Sequence, residues 1–190
     1  MRRIYTRTGD TGMTSINGGG RVAKYDARIE AVGSLDELNV AIGTARTFMA
    51  TDHKWQSRLK DVQLTLMAVM SHVATPSEAR ADNPNRLSES LVEDIERFID
   101  EVAADAPVAE HFILPGGTHL AAFLHQSRVT ARRAERRLWA LNAIDPVSKE
   151  ILQYVNRLSD LFFIMARCEM LRDNVEEERW HSFAYKRVKK

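Results

Sequence analysis

Trp55, Leu59, Val62, Leu66, Val69 and Val73 follow one another at spacings of four and three. That rhythm gathers the apolar side chains on one face of an α-helix and scatters them on a strand. The same rhythm recurs in Leu35, Leu38, Ile42 and Ala45, in Leu91, Ile95, Phe98 and Val102, and in Val147, Ile151, Tyr154, Leu158, Leu161 and Met165. Leu124, Ala131, Ala134 and Leu138 mark a fourth helix between the last two. No segment alternates convincingly with a period of two. Five amphipathic helices joined by short links predict an all-α fold, an antiparallel bundle whose stripes face one core. With 190 residues, 44% of them apolar, one domain can bury such a core without disulfides.

The helix limits follow from local chemistry. Ser34 with Glu37 three residues later has capping-box spacing, which predicts a first helix from Ser34 to about Met49. The second is expected over His53 to Val73, and Pro76 to Leu87 reads as a mobile polar connection. The third is expected from near Ser88. The fourth starts after Pro115-Gly116-Gly117 with Thr118 as its cap and runs to about Leu141. The fifth opens at Asp145-Pro146, a cap followed by proline in the first turn, where its missing amide costs nothing. The expected division is 1–33, a loop segment or short extended pieces around turns, 34–171, the bundle, and 172–190, a charged tail.

Bulk charge narrows the partners. Lysine and arginine total 27 against 26 acidic residues, so there is no global basic field for nucleic acid or membrane, and an anion site must be built locally. No apolar run approaches ~18 residues, so no membrane span is expected. Cys168 alone excludes an internal disulfide and fits a reducing compartment. Met1 to Asp10 lacks both an apolar core and an arginine-rich amphipathic pattern. A cytoplasmic location is expected.

Two regions concentrate anion chemistry. Thr6-Arg7-Thr8-Gly9-Asp10-Thr11-Gly12-Met13-Thr14 and Asn17-Gly18-Gly19-Gly20-Arg21 mix glycine, hydroxyls and base. Backbone amides freed by glycine, with Arg7, Arg21 and Lys24 nearby, suit a phosphate nest; a flexible surface arm is the alternative. The segment is neither a Walker A loop nor a dinucleotide fingerprint. Arg128, Arg132, Arg133, Arg136 and Arg137 crowd around Glu135 on the fourth helix. They repel one another unless an anion or a partner's carboxylates offset them; a solvated basic face and an RNA-binding face are the competing readings, the latter weakened by the lack of interleaved aromatics. Asn156 and Asp160, one turn apart, form a polar pair on the fifth helix. Zinc and di-iron readings fail on spacing: His111, His119 and His125 lack suitably spaced partners, and the only Glu-x-x-His is Glu178 to His181. Cys168 reads as a small core residue.

These segments together resemble the PduO-type ATP:cob(I)alamin adenosyltransferases. The resemblance runs through Thr6-Arg7-Thr8-Gly9-Asp10-x-Gly12-x-Thr14, Gly20-Arg21-Val22-x-Lys24 and Ala31-Val32-Gly33-x-Leu35-Asp36-Glu37-Leu38-Asn39. It continues through Phe112-Ile113-Leu114-Pro115-Gly116-Gly117-Thr118, Arg128-x-x-x-Arg132-Arg133-Ala134-Glu135-Arg136 and Asn156-Arg157-Leu158-Ser159-Asp160. Six motifs in family order over about residues 4 to 170 make the match specific. Thr11, Met13 and the triplet Gly18-Gly19-Gly20 are small departures that touch affinity rather than activity.

The resemblance implies a five-helix, ferritin-like bundle that assembles as a homotrimer with interfacial active sites. It implies an enzyme that moves the 5′-deoxyadenosyl group of ATP onto cob(I)alamin, releasing triphosphate, after reduction through a four-coordinate Co(II) state. ATP would be held by Thr6, Arg7, Thr8, Gly9, Thr14, Ser15 and Lys24, with Arg132, Arg133, Glu135, Arg136 and Asn156. Asp36 and Arg128 match a carboxylate–arginine pair across the subunit interface on the corrinoid side, and Phe112 matches the aromatic residue below the corrin ring; these three are the expected catalytic and corrinoid-binding residues. Magnesium is expected on the ATP phosphates and no metal on the protein itself. A reductase, and a cobalamin-dependent mutase or dehydratase, are the implied partners. A non-catalytic cobalamin carrier, and a trimeric scaffold binding nucleic acid, are the alternatives.

Overall fold

The computed structural model describes residues 4–106 and 112–180. His111, His181 and the remainder of the charged tail lie outside them. A short antiparallel hairpin, β1 (Met13–Ser15) and β2 (Arg21–Ala23), precedes helices α1 (Ala27–Thr47) and α2 (Gln56–Val73). A 3₁₀ segment (Ser77–Asp82) leads to α3 (Leu91–Ala103), α4 (His119–Asn142) and α5 (Lys149–Arg172). The five long helices are those expected from the apolar rhythm, and every apolar stripe residue named above for them is buried.

Cross-helix bonds give the directions. Gln63 on α2 bonds Asn39 on α1 while Gln56 bonds Arg46, so the two run antiparallel. Arg133 and Arg137 on α4 pair with Glu37 and Glu30 on α1, antiparallel again. Arg157 reaches Glu96 and Cys168 reaches Val102, so α3 and α5 run parallel. The chain therefore goes up and down in strict alternation, and α5 packs against both α4 and α3. Leu124, Leu138, Leu158, Leu161 and Phe162 are fully enclosed where these layers meet.

Two expected helix starts are corrected. Helix α1 begins at Ala27, not Ser34: the Asp26 carboxylate accepts from the Arg28 amide at 2.8 Å and caps it. Ser34 is buried mid-helix, where its hydroxyl donates to the Glu30 carbonyl at 2.9 Å. Capping-box spacing is blind to whether helix precedes it, and here Ala31 and Arg28 extend the buried stripe by about two further turns. Helix α5 is capped by Ser148, not Asp145.

Asp145 instead ties three elements together. Its carboxylate accepts from Arg28 Nη2 at 2.5 Å and from the Ser77 amide at 3.0 Å, with Arg80 Nη2 at 3.5 Å. Burial raises the energy of that carboxylate, but the hydrogen bonds from Ser77 and Arg28 outweigh it and hold its pKa below the ordinary aspartate range. The connection after α2, expected to be mobile, is therefore pinned. Buried Asn83 bonds Ser71 and Thr75 from its far side.

Candidate active site

The amino-terminal residues form a compact loop on the hairpin. Arg21 Nη2 donates to the Thr8 carbonyl at 2.8 Å, the Thr6 and Thr8 hydroxyls lie 2.9 Å apart, and the Lys24 amide donates to the Gly12 carbonyl at 2.9 Å. Lys24 lies close over Gly9: an added Cβ there would stand 3.1 Å from its ammonium nitrogen, which would have to shift slightly. Thr6, Arg7, Thr8, Ser15 and Lys24 are exposed, while Gly9 and Thr14 are half-buried. At the hairpin tip Asn17 bonds the Ser71 carbonyl and the Thr75 hydroxyl, anchoring the loop to the end of α2.

The five arginines of α4 divide into two stripes. Arg133 and Arg137 turn toward α1, where Glu37 and Glu30 neutralise them. Arg128, Arg132 and Arg136 lie on the other stripe and pair with no carboxylate in the chain among the described residues. Arg136 Nη1 donates to the Arg132 carbonyl at 3.0 Å, and Arg128 Nε donates to His125 Nδ1 at 3.3 Å. Burial, and then the neighbouring Arg132 charge, push the Arg128 pKa down. Beside this stripe, Asn156 Nδ2 on α5 donates to Glu135 Oε1 at 3.0 Å. Local cationic excess of this kind suits an anion with several oxygens.

Phe112 lies at the opposite end of the bundle from the hairpin, because its loop packs on the end of α5. Gly117, at φ +86°, would bring an added Cβ to 2.0 Å from Met170 Sδ, so that approach requires glycine. The Phe112 ring is half exposed and meets Trp180 edge-on, with centroids 6.4 Å apart. The segment carrying Trp180 runs antiparallel to the Phe112 loop: Leu114 N donates to Glu178 O at 2.8 Å and Trp180 N to Phe112 O at 2.9 Å. Buried Arg167 fastens this strap through a two-pronged pair with Glu177, at 2.7 and 3.0 Å. The sequence reading assigned no role to these tail residues; a tryptophan within a charged run was the available signal.

The chain thus brings Glu135 and Asn156 into contact beside Arg132 and Arg136, whereas Arg133 turns away to Glu37 on α1. It does not join them by hydrogen bond or ion pair to the loop residues, and Asp36, exposed on α1, makes no ion pair with Arg128 inside the chain. Among the described residues, no three histidine, cysteine or acidic side chains converge as a metal cage, and no helix is long and apolar enough to cross a membrane.

The sequence profile of the Cobalamin adenosyltransferase family matches residues 4–169. The corrinoid adenosyltransferase of Mycobacterium leprae is 39% identical over 173 residues, covering 88% of this chain and 91% of that protein. The corrinoid adenosyltransferase PduO of Salmonella typhimurium is 39% identical over 166 residues, 87% of this chain and 49% of the longer relative. A variant PduO-type ATP:corrinoid adenosyltransferase from Lactobacillus reuteri, solved with cobalamin and ATP, superposes with a TM-score of 0.88 at 31% identity, covering 95% of this chain and all of that one. A second variant of that enzyme, complexed with ATP, gives 0.84 at 32% identity over 94% of this chain and all of that one. Profile, relatives and fold agree over nearly the whole length, and the chain belongs to the cobalamin adenosyltransferase family.

Proposed function

We propose that this enzyme transfers the 5′-deoxyadenosyl group of ATP to cob(I)alamin. The Co(I) electron pair attacks the 5′ carbon, the carbon–oxygen bond breaks, and triphosphate leaves with that bond's electrons, giving adenosylcobalamin. The observation that carries the reading is the stripe of Arg128, Arg132 and Arg136, which forms no ion pair with a carboxylate among the described residues and lies beside the Asn156–Glu135 pair. Cob(I)alamin is a strong nucleophile, so no general base is required. The enzyme contributes positioning and stabilisation of the leaving triphosphate.

In this reading Thr6, Arg7, Thr8, Gly9, Thr14, Ser15 and Lys24 wrap the triphosphate, and Arg132, Arg133, Glu135, Arg136 and Asn156 complete the nucleotide site. The loop and the arginine stripe are unconnected within one chain, which favours a site completed by a neighbouring subunit of a homotrimer. The same assembly would pair Asp36 with Arg128 and cover exposed apolar side chains such as Val40, Met67 and Val129. Magnesium would arrive on the phosphates, where it ordinarily keeps several waters. Phe112, with its exposed ring, would exclude water and the lower base from cobalt. Co(II) without an axial ligand is more easily reduced by a partner reductase, and the product would serve a cobalamin-dependent mutase or dehydratase. A cytoplasmic setting fits this chemistry.

The test is an anaerobic assay with reduced cobalamin, ATP and magnesium. A light-sensitive alkylcobalamin and stoichiometric triphosphate, both dependent on protein, are expected. Phe112→Ala is expected to impair turnover from Co(II) far more than ATP binding. Tight cobalamin binding without product would overturn the proposal in favour of a carrier.

A further inference from the structure

Four side chains on three helices form a continuous line. Glu96 on α3 accepts from Arg157 Nε at 2.8 Å, and Arg157 Nη1 donates to Asn156 Oδ1 at 2.9 Å. Asn156 Nδ2 then donates to Glu135 Oε1 on α4 at 3.0 Å. The line begins outside the candidate site, at a half-exposed ion pair with side-chain exposures of 34% for Arg157 and 43% for Glu96, and ends within it.

Its chemistry is directional. A guanidinium has donors and no acceptor, whereas an ionised carboxylate has acceptors and no donor. The Asn156 amide stands between one of each, so only one of its two flipped orientations satisfies both neighbours. Its oxygen must face Arg157 and its nitrogen Glu135. The second amide proton then points from a fixed frame, and the remaining Glu135 oxygen is free to accept. Arg157 in turn is held by Glu96, which is the function of the outermost link.

We propose that Arg157 and Glu96 are positioning residues that lock the Asn156 amide in its nucleotide-binding orientation. The inference rests on the reading of Asn156 and Glu135 as nucleotide contacts and goes beyond it by naming what sets their polarity. Without Arg157 the Asn156 oxygen loses its donor and Glu135 alone selects the orientation, so the amide is held less firmly, which is read as weaker ATP binding with the corrinoid side untouched.

Steady-state kinetics of the full chain, varying ATP and cobalamin separately, test this. Arg157→Met and Glu96→Ala are each expected to raise the KM for ATP roughly threefold to tenfold, the range for members of one hydrogen-bond network. The KM for cobalamin should stay at its wild-type value. Arg157→Lys, still a pure donor, should recover most of the loss; Arg157→Gln, which offers an acceptor as well, should not. Glu96→Ala removes only a half-exposed carboxylate, so its fold is secure if Arg157→Met proves unstable. An unchanged KM for ATP in Glu96→Ala and in folded Arg157→Met, or equal behaviour of the Lys and Gln variants, would overturn the proposal. A wild-type protein without transfer activity would count against the proposed reaction instead. The same ordering, read as ATP Kd by calorimetry, would then decide the positioning role.

Discussion

His125 shows how one side chain can matter without touching a ligand. It is buried on α4, and its Nδ1 accepts from Arg128, so the ring proton sits on Nε2 and the imidazole is neutral. Burial first, and the Arg128 charge second, push its pKa down to about 4. The unfolded chain takes up this proton near pH 6.5, and the folded chain only near 4. Between those values the unfolded state binds more protons, and stability falls as pH falls. Full protonation would cost on the order of 3 kcal/mol. His125→Gln is therefore expected to flatten the stability profile between pH 6.5 and 4, measured by urea unfolding. The difference from wild type isolates this residue, because His53 slopes the same way and Glu169, raised by burial, slopes the other way. The sequence reading weighed His125 only as a metal ligand. Its register with Ala121 and Leu124 on the buried stripe was readable, but the bond from Arg128 was not, since spacing does not reveal rotamers.

Among the elements, helices were more legible than their ends. A stripe repeated over four turns sums many small preferences, whereas a start depends on one side chain's choice among nearby amides. Ser34 and Asp145 both had cap chemistry, yet the hydroxyl satisfied itself within the helix and the carboxylate went to Arg28 and Ser77. That second choice joins α1, the 3₁₀ segment and the α4–α5 turn. Asp145→Ala would leave the Arg28 guanidinium, whose side chain is 9% exposed, without its carboxylate. A loss of about 3 kcal/mol in unfolding free energy is expected from urea titration. A loss below ~1 kcal/mol would mean that the Val73 and Thr75 carbonyls, which also accept from Arg28, suffice.

At the scale of the whole molecule, the alternating helices place the hairpin and the Phe112 loop at opposite ends, with the arginine stripe of α4 on the face between. The motifs that carry the family resemblance were readable because each is contiguous. Their spatial separation within one chain was not readable, because it depends on helix direction and length. The strap was invisible for a related reason: its partners, residues 112–114 and 178–180, are joined only after two complete helices have intervened. Closing so long a loop for a few bonds is entropically late, and those bonds have little packing above them. Native-state hydrogen exchange should therefore find the Leu114 and Trp180 amides opening well below the global unfolding free energy, while amides in the middle of α4 exchange only with it. The surroundings of Phe112 would then be the last part of the molecule to form and the first to let go, so the ring could be uncovered and re-covered many times without disturbing the bundle.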